Sequence, residues 1–318
     1  MLNMSGLVLS PALVAAGIAL LFGLVVGSFA NVVIYRLPLE QSIVFPPSRC
    51  PRCRAAIKPW QNIPVFSWLF LRGRCASCRE PISPRYPIVE AVHGLGFALV
   101  VAEFGPFPFT LLLLAFFSAM VILALIDWDH QILPDVITLP GIVIGVAGTF
   151  LPGALIDWRE SALAALSGYV AFFLVAESYA RLRGIEGLGQ GDWKLAAMMG
   201  TFLGGQRLML TVFLASLSGM IFGLIQAWRQ RRAELAAEPL DDPIPGVEPA
   251  AVEAAGPEAN VTSPLSNEGQ PAENPPPAEP VSIGKFRLPF GTFLAASAIF
   301  VLFQGDRLLI WYASLFRY

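Results

Sequence analysis

Six residues have the type and spacing to do chemistry: two aspartates in apolar surroundings and four cysteines in one loop. Asp192 closes the turn Gly187-Leu-Gly-Gln-Gly-Asp192, which lies between two apolar runs. A charge beside hydrocarbon is costly unless it works or is paired. Glycines at 187, 189 and 191 remove alternate side chains, so the backbone can approach another segment closely and present the acid to a partner. The best partner is Asp127 in Leu125-Ile-Asp-Trp-Asp-His130, the first acid after a long apolar run. Two carboxyl groups brought together from separate spans can share a proton and activate one water, the minimum equipment of aspartyl peptide hydrolysis. Asp129 competes for that role, but residues two apart on a helix face opposite sides. Asp127 lies deeper against the apolar run and is the preferred member.

The cysteines read as two knuckles, Cys50-Pro-Arg-Cys53 and Cys75-Ala-Ser-Cys78, separated by 21 residues. That spacing predicts a tetrahedral four-thiolate zinc site. Four protein ligands leave no open position, so the metal is expected to be structural. Disulfides are disfavoured if the loop faces a reducing cytoplasm. Arg49, Arg52, Arg54, Arg74 and Arg79 stand ready to offset the thiolate charge. No basic helix or aromatic series accompanies the knuckles, so nucleic acid is not an expected partner. Among the other polar residues, Glu90 enters a span and is a functional candidate, with a helix N-terminal acid as the bland alternative. His93 reads as a packed interhelical residue, and Asp135, after Pro134, as a helix N-cap.

The elements that must position these groups are membrane spans. The chain of 318 residues is 55% hydrophobic and 14% charged, with a mean hydropathy of +0.63, far outside the soluble globular range. Apolar runs predict about eight transmembrane helices, near 8–34, 88–104, 107–126, 136–152, 161–180, 195–205, 208–228 and 288–304. The fold class expected is therefore an all-α polytopic membrane protein with a small four-cysteine loop domain. Nine basic residues from Arg36 to Arg85 place the first loop in the cytoplasm. Counting spans from there puts Asp127 and Asp192 on the same, cytoplasmic face. Residues 233–281 hold ten acids, eleven prolines and no basic or aromatic residue, a composition that predicts a disordered linker. The resulting organisation is a first span over 1–35, a cytoplasmic zinc-binding loop over 36–87, a membrane-embedded peptidase core over 88–228, an acidic linker over 229–284, and a last span with its tail over 285–318.

Taken together these motifs resemble the type IV prepilin peptidases, bifunctional leader peptidases and N-methyltransferases of bacterial pilus and type II secretion systems. Gly27-Ser-Phe-Ala-Asn-Val-Val-Ile-Tyr-Arg-Leu-Pro38 is similar to the family's N-terminal signature, and the cysteine knuckles follow in the expected place. Arg85-Tyr-Pro-Ile-Val-Glu90 resembles the segment entering the second span. Asp127 through Asp135 and Gly189-Gln-Gly-Asp192 resemble the two catalytic-aspartate motifs, and Leu288-Pro-Phe-Gly-Thr-Phe-Leu294 the motif at the last span. The resemblance implies cleavage of a basic leader from prepilins or pseudopilins at the cytoplasmic face of the inner membrane, then methylation of the new N-terminus from S-adenosylmethionine. It makes Asp127 and Asp192 the catalytic pair, with Asp129, Gly189 and Gly191 supporting them. It ties Glu90 and the cysteine loop to methylation or substrate handling. The substrates and the lipid bilayer are the partners it implies. The rival reading is an ion or proton transporter with paired carboxyl groups, which would want its acids near the bilayer midplane. Both of these lie at span ends.

Overall fold

The protein is described by a computed structural model covering residues 10–184, 189–237 and 289–316. Among those residues there are helices and two isolated bridges but no strand. The helices are α1 (Pro11–Arg36), α2 (Phe66–Phe70), α3 (Arg85–Phe104), α4 (Pro108–His130), α5 (Asp135–Gly148), α6 (Trp158–Arg183), α7 (Gln190–Ala237) and α8 (Phe290–Ser314). Six of them, α1, α3, α4, α6, α7 and α8, are long and apolar enough to cross a membrane. The two further spans expected from sequence are also helical. One is α5, only 14 residues long; the other is an arm of α7, which carries a non-helical Gly204 (φ 78°) that divides residues 190–203 from 205–237.

Contacts divide the chain into two units, residues 1–222 with 288–318, and residues 223–287. The described part of the second is the end of α7, where the Arg232 guanidinium lies over the Trp228 ring at 4.2 Å. Most of the linker expected over 229–284, and Gly187 of the glycine turn, lie outside the described residues.

Within the first unit α4 is the central post. Its sequence is apolar all round, as a helix must be when neighbours cover every face. Phe109, Leu113, Phe116, Met120, Leu123 and Ile126 are almost fully buried, and α4 touches α1, α3, α5 and α8. Phe116 stacks on Phe202 of α7 with ring centroids 4.6 Å apart. With no water to exclude between helices in lipid, close packing of small residues supplies much of the adhesion. Gly27 of α1 shows how tight this is, since a Cβ there would lie 2.7 Å from the Glu90 Cα of α3.

Helix ends are set by local chemistry. Asp157 caps α6 by accepting from the N–H groups of Arg159 and Glu160 at 2.7 and 2.9 Å, which satisfies two donors that the first turn leaves free. The N-cap expected at Asp135 is corrected: Pro134 holds that position, and Asp135 is the first helical residue. Its carboxylate instead meets the Lys194 ammonium of α7 at 2.6 Å.

Candidate active site

The site lies where α4 ends and α7 and α8 begin. Asp127 is in the last turn of α4 and Asp192 in the first turn of α7, and both are buried. Both border Leu133: Asp127 and Leu133 each crowd the Cβ position of Gly291, and Leu133 crowds that of Gly191, the residue before Asp192. Each acid is held by backbone. The Thr292 N–H donates to Asp127 Oδ2 at 2.7 Å, and the Thr292 hydroxyl lies 3.1 Å from the same oxygen. The Gly189 N–H donates to Asp192 Oδ2 at 3.2 Å, while the Asp192 N–H donates back to the Gly189 carbonyl at 3.1 Å. This reciprocal pair closes the start of α7 and aims the carboxyl group.

Leu133 joins the three helix ends. A Cβ on Gly191 would lie 2.6 Å from Leu133 Cβ, and one on Gly291 would lie 3.0 Å from both Leu133 Cδ1 and Asp127 Oδ2. A side chain at Gly191 would collide with Leu133 Cβ, and one at Gly291 would crowd the Leu133 side chain and the Asp127 carboxyl. Gly189 has room for a side chain in this respect, its nearest neighbour being the Asp192 carboxyl at 3.7 Å. The two glycines named from sequence thus differ: Gly189 supplies a donor, and Gly191 supplies clearance.

Asp129 points elsewhere. Its carboxylate pairs with the Arg85 guanidinium at the start of α3, at 2.6 Å, whereas Asp127 has no ion pair among the described residues. The same pair fixes the end of α4 beside the end of the four-cysteine loop. Glu90 makes a second tie: it is buried and accepts from the Val65 N–H of that loop at 2.7 Å. Val65 has φ 61°, ψ −52°, a costly conformation for a β-branched residue that the bond helps to hold. His93 is fully buried, with Nδ1 2.9 Å from the Val89 carbonyl and its ring edge-on to Phe117. Neither Glu90 nor His93 joins the two aspartates; Glu90 instead ties the loop domain to the bundle.

The cysteine sulfurs of residues 50, 53, 75 and 78 all lie within 4.8 Å of one another and form a group that could hold a metal ion. Both knuckles are built alike. Arg54 donates to the Cys50 carbonyl and Arg79 to the Cys75 carbonyl, each arginine at positive φ, and bridges pair Arg49 with Ala56 and Arg74 with Pro81. The N–H groups of Cys53 and Arg52 turn toward Cys50 and lower its pKa. Those of Cys78 and Ser77 bring Cys75 down to about 6. Cys78 goes the other way, to about 11: the Glu80 N–H favours its thiolate, but desolvation and the crowding thiols of Cys53, Cys75 and Cys50 outweigh it. Four thiolates at these separations need a cation among them. Tetrahedral zinc with bonds of about 2.3 Å would set its sulfurs about 3.8 Å apart, which is the Cys50–Cys78 separation of 3.8 Å. The donor set fits.

Sequence reasoning missed Thr292, Leu133 and Gly291. Thr292 and Gly291 lie within the motif singled out at the last span, so their position was visible although their contacts were not.

Fold and site place the chain in a class, the multi-pass helical membrane proteins with two carboxyl groups meeting at span ends. Residues 21–104 match the family model described as bacterial peptidase A24 N-terminal domain, and residues 114–224 that of the type IV leader peptidase family. A prepilin leader peptidase/N-methyltransferase of Neisseria gonorrhoeae is 39% identical over 242 residues, covering 69% of this chain and 84% of that protein. Proteins with the same description from Myxococcus xanthus and Pseudomonas aeruginosa are 41% and 39% identical, covering 71% and 68% of this chain and 68% and 81% of theirs. The chain belongs to the type IV leader peptidase family. No solved structure matches it.

Proposed function

We propose that the protein is an aspartyl endopeptidase of the bacterial inner membrane that removes the leader from type IV prepilins or pseudopilins at the cytoplasmic face. The observation that carries this is the placement of Asp127 and Asp192, buried at the ends of two spans on either side of Leu133 and held by the Thr292 and Gly189 N–H groups. One carboxylate takes a proton from a water whose oxygen attacks the scissile carbonyl carbon. The other carboxyl, protonated, donates to the carbonyl oxygen. The tetrahedral adduct then loses the amine, whose nitrogen receives a proton as the C–N bond breaks. Asp129, paired with Arg85, keeps the end of α4 in place instead of sharing the reaction's proton.

Cys50, Cys53, Cys75 and Cys78 would hold the expected zinc ion, which closes the loop and supplies no reactive position. Methylation of the new N-terminus from S-adenosylmethionine is the second proposed activity, supported by the descriptions of the relatives. A cavity of about 330 Å3 beside α1 is lined by one guanidinium and otherwise almost wholly apolar side chains, which does not suit the hydroxyl, amino and carboxylate groups of that molecule. No feature of the site favours transport, since both acids lie at helix ends.

Digestion of a leader-bearing pilin by the purified protein with added S-adenosylmethionine, followed by mass spectrometry of the product N-terminus, tests both activities. A trimmed and methylated terminus is expected. An intact leader would overturn the peptidase assignment, and a trimmed but unmethylated one the methyltransferase assignment.

A further inference from the structure

The four-cysteine loop folds back along the helices that tether it. Gly27 and Glu90 pack against one another, so they mark one level in the α1–α3 pair. The Val65 N–H reaches Glu90, which stands in the second turn of α3. Val65 therefore lies within about one turn of helix, roughly 5 Å, of that level, and α2 runs on from it to Trp68, whose indole N–H donates to the Ile82 carbonyl just ahead of α3. Residues 43–48 fold back independently. Val44, Pro46 and Pro47 line the cavity beside α1 together with Phe29, Val32 and Arg36, and Phe29 is only two positions beyond Gly27.

Both folded-back segments expose large apolar side chains. Val44 and Phe45 are 67% and 72% exposed, and Phe66, Leu69 and Phe70 are 51%, 58% and 83% exposed. Phe29 and Tyr35 of α1, at neighbouring levels, are exposed as well. Soluble surfaces rarely carry such a patch without a partner. Basic groups flank it: the Lys58 ammonium lies over the Trp60 ring at 5.3 Å, Arg72 and Arg74 follow α2 directly, and Arg36 stands in the cavity wall. Aromatic and aliphatic residues at the ends of spans, rimmed by lysine and arginine, are the composition that seats a segment in a headgroup layer.

We propose that segments 43–47 and 63–70 insert into the membrane surface on the side of the cysteine loop, where Arg36, Lys58 and Arg72 receive anionic phospholipid headgroups. The loop domain is then held at three places, by the Glu90–Val65 bond, by the Arg85–Asp129 ion pair and by the lipid itself.

The test uses the full chain in nanodiscs of mixed phosphatidylglycerol and phosphatidylcholine, with a benzophenone amino acid replacing Phe45, Phe70 or, as a control, Arg52 at a knuckle tip. Illumination and mass spectrometry identify what each position captures, and unchanged metal content certifies each fold. Lipid adducts at 45 and 70 but not at 52 are expected, enriched about twofold or more in phosphatidylglycerol over its mole fraction. Yields at 45 and 70 no higher than at 52, adducts that follow bare mole fraction, or cross-links to a second copy of the chain in place of lipid would each overturn the proposal.

Discussion

Thr292 meets Asp127 through two groups at once. Its N–H and its hydroxyl both lie within hydrogen-bond distance of Oδ2, and the hydroxyl is also 2.9 Å from the Ala124 carbonyl. A hydroxyl has one proton and two lone pairs. When Asp127 is ionised, the hydroxyl can donate to it; when Oδ2 carries a proton, that proton can be given to Thr292 Oγ1 while the hydroxyl donates to Ala124. Thr292 thus accommodates both protonation states that an aspartyl mechanism passes through.

Replacing the hydroxyl tests that accommodation. Thr292→Val keeps the backbone donor and should lower kcat about tenfold, the loss of roughly one hydrogen bond to a charged group. Thr292→Ser should stay within about threefold of the parent. Steady-state kinetics on a leader-bearing substrate measure both, and a loss in the serine variant with none in the valine variant would show that methyl packing, not the hydroxyl, matters.

Asp127→Asn and Asp192→Asn should each lower leader cleavage by at least about 1000-fold while leaving the folded protein intact, because one carboxyl cannot both take and give the proton. Asp129→Asn loses only its ion pair with Arg85, a half-exposed contact worth about 1 kcal/mol or less, and should keep substantial activity. A dead Asp129 variant beside an active Asp127 variant would reverse the assignment.

Clearance around Leu133 can be probed by adding one methyl group. Gly191→Ala brings a Cβ to 2.6 Å from Leu133 Cβ and should destabilise the junction by about 1–3 kcal/mol, with a matching fall in activity. Leu133→Gly in the same chain removes that Cβ and opens the space. Thermal unfolding and turnover should both recover part of the loss, a coupling that independent sites would not show.

Metal analysis addresses the cysteine group. One zinc per chain is expected, and any single change of Cys50, Cys53, Cys75 or Cys78 to serine should abolish it and make the loop sensitive to proteolysis while the spans remain inserted. Intact protein without stoichiometric metal, or with its cysteines oxidised to disulfides, would contradict this.

The catalytic candidates were legible because acids inside apolar chain are expensive, so each needed a reason. Depth and the family resemblance both favour Asp127 over Asp129, and the ion pair of Asp129 with Arg85 is consistent with that choice. Thr292 was not legible as a partner because it lies 165 residues from Asp127 in sequence, and no local pattern encodes so distant a pairing. Asp135 shows the opposite failure. A local rule made it a cap, but Lys194 of another helix outcompetes that role. The break at Gly204 was legible as the gap between the apolar runs 195–205 and 208–228, to within a few residues.

The short helices beside the site have a consequence for the surrounding bilayer. Gly141 and Gly145 of α5 pack on Met198 and Thr201, so α5 runs alongside the 190–203 arm of α7. A helix of 14 residues is roughly 21 Å long, whereas the hydrocarbon core is about 30 Å thick. At the far end of the pair stand charged groups, Glu160 beside Gly204 and the ion pair of Arg207 with Asp306. Val136, Val143 and Ile144 of α5 face outward. Lipid chains along this flank meet an apolar wall too short for them, and relieving that hydrophobic mismatch pulls the two headgroup layers together. A bilayer that yields to this mismatch would be thinner next to the two aspartates, leaving water and a polypeptide less oil to cross there than along the longer spans.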